Sequence, residues 1–320
     1  MNVYLSFDIE MWLNGWADLD RKFAAGFERY YLGRSAAGDY ALPKTLEILN
    51  QNGLTGVFFV EPLFSARFGA QHLDLVTAMI GAAGQDIQLH IHPEWTDEIS
   101  PPLIDDVSKK RQHLSHYTLA EQTTLIGAAR TMLEASTGRP VSAFRAGSFA
   151  VNLDTYKALS ANGLRVDSSL HASYDLSGGT LQGVAGHDSL QVINGVQTYR
   201  VTVMRDGFGR QRPAHVGACS FSEMRSALLD AAARGVQHFV IVSHNFEMLK
   251  PGSTQPQPIV VRRFEKLCRF LAERSDLFRV GPYPLAGTSA AVPAPHPVQP
   301  AARPAGTAWR HLEQLACRLG

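Results

Sequence analysis

The residues of this chain that could do chemistry fall in short clusters, and the spacing inside each cluster is informative. In Ser6-Phe7-Asp8-Ile9-Glu10-Met11-Trp12 two carboxylates stand at i and i+2. In an extended segment those positions face the same side, so Asp8 and Glu10 can address one cavity while Ile9 packs away. Two carboxylates that close are costly unless a cation or a proton separates them, and the same proximity drives their pKa values apart. One could hold a metal ion while the other serves as a base. The i, i+2 spacing recurs with imidazoles in Asp86-Ile87-Gln88-Leu89-His90-Ile91-His92-Pro93-Glu94-Trp95. His90 and His92, joined by a carboxylate, form a donor set for zinc or another divalent transition metal. Glu94 is a weaker ligand candidate, and Pro93 ends the strand and stiffens the turn.

Three further clusters are softer. Arg145, in Phe144-Arg145-Ala146-Gly147-Ser148-Phe149, follows an apolar run and could grip a carboxylate through both arms of its guanidinium. Asp167 opens Asp167-Ser168-Ser169, a sequence common in turns. His244 emerges from the apolar run Val240-Ile241-Val242, and an imidazole there suits a general acid or base. Each cluster also has a plainer reading: solvated strand-end carboxylates, hydrogen-bonded histidines, a surface ion pair, a turn, a satisfied polar group. His72, His113, His116, His238 and His311 read as structural or surface residues.

The elements that must position these clusters alternate between strand and helix. Asn2 to Asp8, Thr55 to Val60, Ile87 to His90, Val141 to Arg145, Leu164 to Asp167, His238 to Val242 and Phe278 to Val280 read as short buried strands. Between them the pattern predicts helices from about Pro43 to Asn52, His72 to Ala82, Thr118 to Ala135, Asn152 to Ala161, Ser220 to Arg234 and Ile259 to Arg274. Thr118 with Glu121 and Ser220 with Glu223 are capping-box pairs. Ser189 to Val203 alternates around Asn194-Gly195, a hairpin signal. Repeated strand–helix units imply a parallel sheet or an α/β barrel. The polar clusters fall just past strand ends, where a barrel builds its site, and that favours a barrel with one shared centre. The domain reading is a catalytic unit over 1–285, an Ala/Pro-rich linker over 286–307 and a short helix or tail over 308–320.

Composition narrows the partners. With 30 Lys plus Arg against 29 Asp plus Glu the net charge is +1, so no single-sign field points to nucleic acid or an anionic membrane. Cys219, Cys268 and Cys317 make neither a CxxC pair nor an even framework, which suits a reducing compartment. Cys268, in an amphipathic stretch, reads as a buried thiol. No signal-peptide pattern and no run of about 20 apolar residues is visible. The expectation is a cytoplasmic protein without a transmembrane segment.

In chain order these clusters resemble the polysaccharide deacetylase superfamily, carbohydrate esterase family 4, over roughly residues 2 to 283. Ser6-Phe7-Asp8 is similar to the family's Thr-Phe-Asp-Asp, with the second carboxylate supplied by Glu10 in an Asp-x-Glu form. Val57-Phe58-Phe59-Val60 resembles its second strand. Asp86-Ile87-Gln88-Leu89-His90 fits the start of its histidine motif, and His92-Pro93 its end with two residues missing, a His-x-His-Pro form tied to surface-polysaccharide biosynthesis. Phe144-Arg145-Ala146-Gly147-Ser148-Phe149 resembles Phe-Arg-x-Pro-Tyr with Gly147 in place of proline. Asp167-Ser168-Ser169 and Val242-Ser243-His244 resemble the later motifs.

The resemblance implies a distorted (β/α) barrel of about seven parallel strands and a sugar N-deacetylase active on a surface polysaccharide, lipopolysaccharide or a precursor. It implies Asp8 as catalytic base, His244 as general acid, Arg145 orienting Asp8, and Asp167 among the catalytic group. Glu10, His90 and His92 would hold a divalent metal, zinc first, with cobalt, nickel or iron as alternatives. Trp12, Trp95 and Phe149 could wall a sugar ring or simply pack in the core. An inactive sugar-binding or scaffold member of the same fold is the alternative. An amidohydrolase-type barrel also uses His-x-His, but on its first strand with an aspartate on the last, the reverse of the order here.

Overall fold

The alternating apolar runs become parallel strands joined by helices. The computed structural model describes residues 1–171, 190–284 and 299–319. They divide into two compact units, one of residues 1–56, 203–282 and 299–320, the other of residues 57–202 and 283–298.

In the first unit the strand Asn2–Ile9 is buried from Val3 onward, as expected of a parallel strand covered on both faces. It pairs in parallel with His238–His244, in a register that sets Asp8 opposite His244, and with the short strand Arg279–Val280. The Ser6 hydroxyl, buried in this layer, donates to the Ile241 carbonyl at 2.8 Å. Helices Leu42–Gln51, Phe221–Ala233 and Pro258–Glu273 complete the unit's core. The last buries Val260, Val261, Phe264, Leu267, Cys268 and Leu271, a helical stripe of spacing i, i+4, i+7 and i+11. Burial pushes the Cys268 thiol up, so it stays protonated and inert.

In the second unit Val57–Val60, Asp86–Ile91, Ala143–Ala146, Val166–Asp167 and Val196–Tyr199 pair in that order, all parallel. Leu190–Ile193 adds one antiparallel strand through the Asn194-Gly195 turn, whose φ values of 48° and 77° are those of a primed hairpin. The helix Leu119–Thr137 starts on its capping box: Thr118 Oγ1 accepts from the Glu121 amide, and the Glu121 carboxylate accepts from the Thr118 amide at 2.8 Å. Gly138, at φ 64°, ends it.

Three departures from the sequence reading have local causes. A helix Leu19–Phe27 runs into a wider turn Glu28–Leu32, and neither carries a capping side chain that would mark its start. The expected hairpin is shorter than Ser189 to Val203, because Val203–Arg205 pairs instead with Gln211–Pro213; Ser189 lies outside the described residues. The terminal helix runs Pro304–Leu319, with proline at its start, where its missing N–H costs nothing. Residues 286–298 of the stretch read as a linker lie outside the described residues. Among the described residues no helix is long and apolar enough to cross a membrane.

Candidate active site

The first unit gathers Asp8, Glu10 and His244 at one strand end. Asp8 and His244 are register partners on adjacent strands, and Glu10 lies just beyond. Asp8 and Glu10 are both buried. The backbone after Asp8 is clamped by Asn245, whose amide donates to the Asp8 carbonyl at 3.3 Å. The Asn245 side chain accepts from the Glu10 amide and donates to the Glu10 carbonyl, both at 3.2 Å, and also donates to the Tyr30 carbonyl. Trp12 Nε1 donates to Glu10 Oε1 at 2.7 Å, and the residue is 54% exposed.

His244 is held between two carboxylates. Its Nδ1 donates to Glu247 Oε1 at 2.8 Å, and its Nε2 lies 3.7 Å from Glu10 Oε1. Burial disfavours the imidazolium, but the Glu247 hydrogen bond and the charges of Glu10, Glu247 and Asp8 outweigh it and raise the pKa to about 9. Glu247 moves the other way. Burial disfavours its ionised form, yet His215 and His244 hold it well below the usual carboxylate range. Its other oxygen accepts from the Gly217 amide at 2.9 Å and the Ser243 hydroxyl at 3.1 Å.

His215 and Glu247 belong to this cluster, and the sequence reading did not single them out. His215 Nδ1 accepts from the Ala218 amide at 3.2 Å, which puts its proton on Nε2, 2.6 Å from Glu247 Oε1. His215 reaches this place because its segment pairs with Val242 on the His244 strand, a long-range pairing with no local sequence signal. Glu247 could have been found: a carboxylate three residues after His244, just past a strand end, falls within its reach.

The second unit gathers His90, His92, Arg145 and Asp167. His90 and Arg145 are register partners, and His90 Nδ1 donates to the Arg145 carbonyl at 2.8 Å. That bond fixes the tautomer, with the proton on Nδ1. The rings of His90 and His92 meet edge to face with centroids 4.9 Å apart, and His92 Nδ1 lies 3.3 Å from Glu94 Oε2. Arg145 is no surface ion-pair residue. It is 0% exposed, donates to the Ser168 carbonyl and hydroxyl at 3.0 Å each, and stacks 4.3 Å over the Phe59 ring.

Asp167 is equally buried, accepting from the Tyr156 hydroxyl at 3.0 Å and from the Ser169 hydroxyl. Burial raises its carboxyl to about 6, against the opposing hydrogen bonds and the Arg145 charge. A carboxyl whose folded pKa exceeds its unfolded value stabilises fully below the unfolded value, 3.8, and loses that stabilisation as pH rises through about 6. The loss is of order 3 kcal/mol. Asp167→Asn is therefore expected to abolish this part of the fall in unfolding free energy between pH 4 and pH 8. Parallel urea melts of variant and wild type over that range check it; equal pH slopes would contradict it.

Two sequence oddities prove to be one feature. A Cβ built on Gly147 would lie 2.8–2.9 Å from three atoms of the His92 ring, closer than carbon tolerates. The ring occupies the space that any side chain at 147 would fill. Glycine where the resemblance expects proline thus accompanies the shortened His-x-His spacing for a steric reason. Gly147→Ala is expected to displace His92 and weaken zinc binding by about 10- to 100-fold, read by calorimetric titration of the metal-free protein. Unchanged affinity would show that the ring position is irrelevant.

Of the aromatic candidates, Trp95 is 4% exposed and packs among Phe64 and Phe68, so it belongs to the core. Trp12 stands open, 5.1 Å from the Phe246 ring and 6.2 Å from that of His244. Phe149 is half-buried against His171 at 5.4 Å.

No family model and no curated protein matches the sequence. Solved structures do. A protein from Mycobacterium smegmatis assigned as a polysaccharide deacetylase has 16% identity, with 88% of this chain and 86% of that chain covered and a TM-score of 0.56. A family 4 carbohydrate esterase from Streptomyces lividans has 14% identity, coverage of 92% and 98%, and a TM-score of 0.46. A CE4 family pseudoenzyme from Bacillus anthracis has 14% identity, coverage of 87% and 66%, and a TM-score of 0.41. At such identities the likeness is one of fold, and it rests on the Mycobacterium smegmatis protein. The chain has the fold of the polysaccharide deacetylases, an α/β architecture of the (β/α)-barrel type.

Proposed function

We propose that the protein is a metal-dependent sugar N-deacetylase, a hydrolase of a linear amide C–N bond. Its substrate class is an N-acetyl sugar of a surface polysaccharide, lipopolysaccharide or a precursor of either. The observation that carries this reading is the pairing at the first unit's strand end: a buried carboxylate, Asp8, in register with an imidazole, His244, that stays protonated at neutral pH. Amide hydrolysis needs both groups, a base for the attacking water and an acid for an amine that leaves poorly unless protonated.

By the resemblance, Glu10, His90 and His92 are the residues that would hold the ion. Two imidazoles and a carboxylate suit zinc first, then cobalt, nickel or iron. The hydrogen bond from His90 Nδ1 fixes the tautomer that a ligand through Nε2 requires. The chemistry such an ion would supply there is a lowered pKa for water and polarisation of the acetamide carbonyl. Asp8 accepts the proton of the attacking water; the orienting role of Arg145 comes from the resemblance alone. His244, its Nδ1 committed to Glu247, delivers its Nε2 proton to the departing amine. Asp167, through Ser169 and Tyr156, holds the turn on which Arg145 leans. The open Trp12 ring offers an apolar face to a sugar. The scarcity of cysteine, without a paired framework, supports a cytoplasmic setting.

Purified protein is expected to carry about one divalent ion per chain, and His92→Ala to lower affinity for it by more than about 100-fold. Elemental analysis and zinc titration read both. Failure of the wild type to bind zinc or cobalt would remove the metal site.

A further inference from the structure

The C-terminal helix Pro304–Leu319 is anchored by a buried ionic network. Arg310, 1% exposed, donates through Nε to both oxygens of Glu223, at 3.0 and 3.1 Å, and through Nη2 to Asp206 at 3.0 Å. Thr307 donates to Glu223 at 2.7 Å and accepts from the Gly207 amide at 2.8 Å. Glu313, three residues beyond Arg310, takes Nε and Nη2 of Arg263 at 2.9 and 2.7 Å.

The remaining arm of Arg263 leads to the acid. Its Nη1 donates to the Gly217 carbonyl at 2.8 Å, and the amide of the same residue donates to Glu247 Oε2 at 2.9 Å. A Cβ at Gly217 would stand 2.6 Å from that carboxylate oxygen, so the approach requires glycine. Glu247 in turn receives His244 Nδ1. One continuous chain of charged hydrogen bonds and a single residue's backbone thus runs from Glu313 to His244. The loop is also held on both sides of Gly217: the Val216 amide donates to the Val242 carbonyl at 3.1 Å and the Val242 amide to the Ala214 carbonyl at 2.9 Å, while the Ala218 and Cys219 amides donate to the His215 carbonyl at 3.2 and 3.0 Å.

We propose that the terminal helix is a positioning element for the general acid, with Glu313 and Arg263 as positioning residues that fix the Gly217 peptide against Glu247. The proposal rests on the reading of His244 as the acid. Its physical basis is that a buried guanidinium stripped of its carboxylate seeks another partner. Arg263, 5% exposed, would then release the Gly217 carbonyl, and the amide would drift from Glu247.

The test uses the full chain with zinc added, chitopentaose as substrate and ring ¹⁵N spectra of the histidines. Glu313→Ala is expected to displace the His215 and His244 ring resonances. It is also expected to lower kcat for acetate release by about tenfold, with KM and zinc affinity within about twofold of wild type. Glu313→Asp, which keeps the carboxylate, is expected to restore most of both. A helix that only stabilises the fold would lower Tm and leave the rings unmoved. Glu313→Ala with both resonances at their wild-type positions overturns the proposal. The readouts separate the two readings: if His244→Ala released acetate at the wild-type rate, His244 would lose its role as acid, and the resonances alone would decide the coupling.

Discussion

Replacing Asp8 by asparagine is expected to leave the metal in place and cut acetate release by about 10²- to 10⁴-fold, the usual worth of a positioned general base. Asparagine matches aspartate in size, so the buried pocket at the strand end stays filled. The amide cannot take a proton from water. The barrier rises by about 3 to 5 kcal/mol on that ground alone. Since the assigned ligands are Glu10, His90 and His92, zinc should bind the variant as it binds the wild type. Activity and metal content must therefore part company. Full acetate release by Asp8→Asn would take the role of base away from Asp8, and loss of zinc together with activity would make it a ligand.

His244→Asn should cost a similar factor, about 10²- to 10⁴-fold, and its partner gives a sharper test. The acid works only while protonated. With its pKa raised to about 9, the wild-type rate should hold through neutrality and fall as pH climbs through about 9. The same shift enters stability: its contribution is complete below the unfolded value of 6.5 and disappears as pH rises through about 9. Glu247→Gln removes the hydrogen-bonded charge that opposes burial, leaving Glu10 and Asp8 as the raising charges. The alkaline limb of kcat/KM should then move down toward neutrality. A limb that stays in place in Glu247→Gln would show that another group carries it.

Much of this was legible in the sequence, and the part that was not has a physical reason. Thr118 with Glu121 and Ser220 with Glu223 form the capping boxes their spacing announced, because a cap is decided within four residues. Asn194-Gly195 turns as predicted for the same reason: two left-handed residues in succession admit few alternatives. The i, i+2 spacing placed Asp8 and Glu10 at the end of one strand and His90 and His92 at the end of another. What remained hidden depends on distant pairings. His215 stands beside Glu247 because its segment lies against Val242. The steric tie between Gly147 and His92 joins residues 55 positions apart, and neither motif alone reveals it. In the sequence the terminal helix reads as a short helix or tail because an Ala/Pro-rich stretch precedes it. Its anchor, Arg310 on Glu223 and Asp206, is a charge network that composition cannot display.

Acetate release from N-acetylated saccharides, nucleotide sugars and glycolipids, measured with zinc-loaded and chelator-stripped protein, tests the central claim most directly. A sugar N-deacetylase releases acetate from at least one of them when loaded, loses that activity when stripped, and recovers it on adding zinc. Protein that binds zinc yet releases no acetate from any of them would contradict the enzyme reading and leave a sugar-binding or scaffold protein on the same fold.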